Sequence, residues 1–87
     1  MKEYTEKEKE CARLIAKVVE LQQEQGNRYT PTLLNLYKIM EITNDWSICF
    51  TLHYLIIAQS MGLVELIPDE QGMIKVYFED KYKQEDE

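Results

Sequence analysis

The chain has 87 residues, 45% of them apolar and 30% charged, and carries a formal charge of −6. At this length one compact domain is expected, burying only about 60–65% of the unfolded chain's surface, so pairing with a second copy would add stability. The acidity disfavours a general affinity for nucleic acid, which rests mostly on cations replacing condensed counterions, and leaves a local basic patch as a route to DNA.

The N-terminus, MKEYTEKEKE, is too charged for a secretory signal, and no apolar run approaches the roughly 18 residues that span a bilayer. A cytoplasmic protein without membrane contact is the expectation. From Tyr4 to about Gln25, Cys11, Leu14, Ile15, Val18 and Leu21 follow steps of three and four, with Glu6, Lys9, Glu10, Arg13, Lys17, Glu20 and Glu24 opposite. That spacing predicts a surface helix with one buried stripe, stopped by Gly26 and Asn27. The basic residues Lys9, Arg13 and Lys17 are interleaved with acids, and so read as a solvated mixed-charge face.

Thr30 and Pro31 have the order of an N-cap and a first helical residue, which predicts a second helix ending near Ile42 with Leu33, Leu36, Tyr37 and Met40 on one side. Thr43, Asn44 and Asp45 offer oxygens to cap a third helix over roughly Asp45 to Met61. Gly62 ends it. Leu63 to Ile67 and Met73 to Phe78 then read as two strands about the turn Pro68-Asp69-Glu70-Gln71-Gly72, with Val64, Leu66, Ile74, Val76 and Phe78 on the covered face. Residues 81–87 form an acidic tail expected to be disordered, which leaves residues 1–80 as a single domain.

The third helix is the unusual element. Ile48, Cys49, Phe50, Leu52, Tyr54, Leu55, Ile56, Ile57 and Ala58 cover nearly its whole circumference, and a helix apolar all round is normally buried on all sides. A domain this small cannot surround it, so the excess apolar surface points to a dimer or another protein partner. Periodicity alone leaves open whether the first or the third helix makes the dimer contact.

The stretch YLIIAQSMGLVEL, with Leu55, Ala58, Met61, Gly62, Leu63 and Val64 in order, resembles the junction between recognition helix and wing in winged helix-turn-helix regulators. The resemblance covers roughly Tyr4 to Phe78. It implies an α+β fold, a three-helix winged-helix domain with a C-terminal two-stranded β-hairpin wing, acting as a dimeric DNA-binding transcriptional regulator. In that reading Ser47, Thr51 and His53 lie near bases, while Arg28, Lys38 and Lys75 meet phosphates. The sequence departs from the family where its members are polar and basic, because the helix carries no Lys or Arg and the wing turn is acidic.

The rival expectation is an acidic winged-helix protein-interaction module that does not bind DNA, with Trp46, Phe50, Ile56 and Ile57 as its contact face. Neither reading requires a cofactor. Cys11 and Cys49 read as free thiols, and Cys49 with His53 supplies two candidate metal ligands where a structural zinc site needs four. One His, no phosphate-binding Gly-rich loop and no paired carboxylates in a recognisable setting argue against an enzyme.

Overall fold

A computed structural model describes residues 3–25 and 30–79. The expected stop at Gly26 and Asn27, Arg28 and the 81–87 tail lie outside them. Three helices, α1 (Glu6–Gln25), α2 (Leu33–Asn44) and α3 (Ile48–Ser60), precede two antiparallel strands, β1 (Val64–Pro68) and β2 (Ile74–Phe78). This is the α+β layout expected of a winged-helix arrangement.

Each helix start is fixed by a side chain that satisfies an amide with no partner in its own helix. At α1, the Thr5 amide donates to Glu8 Oε1 (2.9 Å) and the Glu8 amide donates to Thr5 Oγ1 (3.1 Å), a reciprocal capping box. At α2 the same device uses Thr32 and Asn35, two residues later than the expected Thr30 cap. Pro31 is left outside the helix, where its carbonyl accepts the Val76 amide at 3.0 Å, and Thr32 forms a bridge with Lys75. The segment before α2 is thus drawn onto the free side of β2, which is why the helix begins late.

The link between α2 and α3 also differs from expectation. Asp45 does not open α3. It closes α2 in a left-handed conformation (φ 59°), its amide donating to the Glu41 carbonyl at 3.1 Å. Asp tolerates that backbone better than most residues because its short side chain can bond locally. Ser47 then caps α3, its hydroxyl accepting the Phe50 amide at 3.1 Å.

At the other end of α3, the Gly62 amide donates to the Gln59 carbonyl (3.0 Å) and the Leu63 amide to that of Ala58 (2.9 Å). These are the paired bonds of a Schellman motif, which needs a left-handed residue, and Gly62 supplies it at φ 78°. The chain leaves the helix aimed into β1. Register pairs Val64 with Phe78, Leu66 with Val76 and Pro68 with Ile74; of the expected covered face Val64 and Val76 are fully buried and Leu66 and Phe78 pack against the core, while Ile74 at the far end is only half-buried. On the outer edge of β1, the Leu66 amide is taken by Gln59 Oε1 (2.8 Å) and Pro68 has no amide to offer.

The core is formed by Ala12, Ile15, Ala16 and Val19 of α1, Leu36 and Met40 of α2, Leu55, Ile57 and Ala58 of α3, and Val64 and Val76 of the hairpin. The buried stripe of α1 is therefore rotated from the expected one. Ile15 is inside, whereas Leu14 and Leu21 are 41% and 42% exposed. Small Ala12 and Ala16 take the inner positions because α1 lies along α3, and short side chains let two helices approach.

A Cβ at position 62 would meet no neighbouring atom, so Gly62→Ala tests the backbone alone. Urea unfolding should show a loss of about 1–2 kcal/mol, the cost of a left-handed L-residue; an unchanged midpoint would mean the corner does not require glycine.

Candidate functional site

The outward side of α3 is the candidate site, because Ile48, Phe50 and Ile56 all stand exposed on this one helix. Helical spacing sorts its side chains into two rows. Ile48, Leu52 and Ile56, four residues apart, form one; Trp46, Phe50 and Tyr54 form the other; Cys49 and His53 lie between them. Ile48 is 40% exposed, Phe50 53% and Ile56 46%, while Leu52, Trp46 and Tyr54 are half-buried.

Tyr54 is the hub of the second row. Its ring lies 4.9 Å from Trp46, 5.7 Å from Phe50 in an edge-on arrangement, and 5.1 Å from His53. Edge-on and tilted pairs at these separations are favourable because ring edges are positive and faces negative. Burial, followed by the adjoining Cys11 thiol, pushes the Tyr54 phenol above its ordinary value, so it stays protonated and can act as a hydrogen-bond donor. These contacts hold Trp46, Phe50, His53 and Tyr54 together as one aromatic cluster.

The expected site residues divide sharply. Trp46, Phe50, Ile56 and His53 are brought onto this face. Ile57 is not: it is fully buried among the core residues, although it lies one turn beyond His53 and two beyond Phe50 on the same side of α3, so that side is covered toward the end of the helix. Thr51 is likewise fully buried, its hydroxyl donating to the Ser47 carbonyl at 2.9 Å, so it cannot reach a base. Ser47 is exposed, with its oxygen engaged as the α3 cap. Lys38 is exposed on α2, and Lys75 is half-buried on β2 opposite Ile67.

His53 does not turn to Cys49 as a second metal ligand would. Its Nε2 lies 3.8 Å from Glu8 Oε2 of α1. Among the described residues no three His, Cys, Asp or Glu side chains gather as metal ligands. Cys11 and Cys49 are both free, Cys49 exposed. The carboxylate of Glu8 therefore borders the α3 face, a poor neighbour for phosphate.

Ile48 was legible as part of an all-apolar helix, and its exposure follows only from knowing which side α1 covers. Ile42, 84% exposed at the end of α2, carried no signal in the sequence beyond its place near a helix terminus. Among the described residues no helix is long and apolar enough to cross a membrane.

The Glu8 carboxyl is held below the usual carboxylate range, chiefly by the Thr5 amide; partial burial opposes this, and the Thr5 hydroxyl and His53 add to the lowering. A carboxyl with a lowered folded value contributes stability above the ordinary range and loses it as pH falls through the folded value. Thermal melts of Glu8→Gln should therefore decline less steeply with acid than those of the parent; parallel declines would remove Glu8 from the acid response.

No family model matches the chain, and neither a curated protein nor a solved structure does so.

Proposed function

We propose that the chain is a protein-interaction module whose contact face is the outward side of α3. One observation carries this reading. Between Ile48 and Ser60 there is no Lys or Arg, while Ile48, Phe50 and Ile56 all stand at 40% exposure or more. Exposed apolar side chains clustered on one helix, with an aromatic group at the edge, match the centre of protein interfaces, where charge is depleted and aromatics are enriched.

The chemistry of the partner follows from the face. It is a protein surface with an apolar groove or helix that covers the Ile48, Leu52 and Ile56 row, and with a cation or donor able to meet Glu8 and His53 at the rim. No cofactor is needed.

The second reading is a dimeric DNA-binding transcriptional regulator. It draws on the three-residue link from α2 to α3, the exposed first turn of α3, and outward Lys38. In that case Ser47 and His53 lie toward bases, and Lys38, Lys75 and Arg28 toward phosphates. Apolar side chains can touch thymine methyl groups, but phosphate contacts supply most of the affinity, and α3 contributes none of the cations required.

One paired experiment separates the two. The tagged chain is used to retrieve partners from its own cells, alongside a DNA titration at low and high salt. Phe50→Asp and Ile56→Asp are expected to abolish retention of a protein partner by at least about tenfold, as loss of central apolar anchors does, while Lys38→Glu and Lys75→Glu leave it intact. Salt-sensitive DNA binding that is lost in the two lysine variants and kept in Phe50→Asp would establish the second reading.

A further inference from the structure

The two margins of the hairpin are held to the helices by different means. Bonding between the strands runs through odd-numbered residues: the Glu79 amide donates to the Leu63 carbonyl at 2.9 Å and the Asp69 amide to that of Met73 at 2.8 Å. In an antiparallel pair the intervening residues turn their backbone groups outward, so Leu66 on β1 and Val76 and Phe78 on β2 bond to whatever borders each margin.

Along β2 the partners are sheltered. Val76, fully buried, donates its amide to the Pro31 carbonyl at 3.0 Å, and Thr32 forms its bridge with Lys75 beside it. The Phe78 amide donates to Gln23 Oε1 of α1 in a partly buried bond. Along β1 the tie is a side chain in water: the Leu66 amide donates to Gln59 Oε1 at 2.8 Å, and Gln59 stands exposed near the end of α3. Water competes for both groups of that bond, and holding it costs the glutamine its rotamer freedom, so the β1 tie is the weaker of the two.

Burial follows the same gradient. Val64, beside the Gly62 corner, is fully buried, Leu66 is half-buried and Pro68 is exposed. We infer that the hairpin is a flap hinged along β2 and latched by Gln59, so that release of this bond lets β1 lift from α3 between Leu66 and Pro68 while β2 stays seated. Local opening starts where little apolar area is buried and the backbone bond is exposed, and Leu66 meets both conditions. The motion involves no partner, and its absence would leave the function proposed above untouched.

The test is residue-resolved amide hydrogen exchange on the whole chain, together with nuclear Overhauser contacts from the Leu66 methyls to the core. In the parent, Leu66 should be protected at least about tenfold less than Val76 and Phe78. Gln59→Met keeps the length of the side chain and removes the acceptor. It should lower Leu66 protection by about tenfold more and weaken the Leu66 methyl contacts, with Val76 and Phe78 unchanged. Gln59→Glu retains an acceptor and should behave as the parent does. Equal protection of the two margins in the parent, Leu66 methyl contacts that persist at full strength in Gln59→Met, a Gln59→Glu chain that behaves like Gln59→Met, or a loss of protection at Leu66, Val76 and Phe78 together would each overturn the inference.

Discussion

The structure depends on the close alignment of α1 with α3. Ala12 and Ala16 on one helix and Ala58 on the other are buried in the same core, and small side chains at a helix contact let the backbones approach. Once that contact is made, Thr51, Leu55 and Ala58 are committed to the interior, and Ile48, Phe50 and Ile56 are left exposed. Among the described residues no further element covers them. The exposed rows on α3 follow from that geometry, as does the displacement of Leu14 and Leu21 to the outside of α1.

Local bonds then hold each helix in the place the packing requires. Thr5, Thr32 and Ser47 cap the three starts, while Asp45 and Gly62 provide left-handed exits at the ends of α2 and α3. Each of these is worth about 1 kcal/mol, a substantial share for a domain with a small core. Among the described residues, every buried side-chain nitrogen or oxygen has a hydrogen-bond partner. The apolar side of α3 is therefore presented by a well-specified frame, as a face must be if it is to recognise one shape.

Element order, the Gly62 corner and the alternation of the hairpin were readable from the residues, because each follows from a short-range rule: helical period, left-handed glycine, strand period. What could not be read was rotation. Ile56 and Ile57 are adjacent and chemically alike, yet one faces solvent and the other the core, and only the position of α1 distinguishes them. The same limit misassigned Thr51, whose hydroxyl is satisfied within its own helix, and concealed the role of the alanines behind the larger leucines. Cap positions slipped by two residues at α2 because Thr30 and Thr32 are both competent, and the bonding of Pro31 and Thr32 to β2 decided between them.

The outer margin of the hairpin has a wider effect on how the molecule can associate. A bare strand edge is a template on which another chain can extend the sheet, whether as a recognised peptide or as the start of a fibril. With the Leu66 amide bonded to Gln59 and Pro68 unable to donate, β1 breaks the ladder such an addition would need. Sheet extension by another strand is thereby discouraged along that margin.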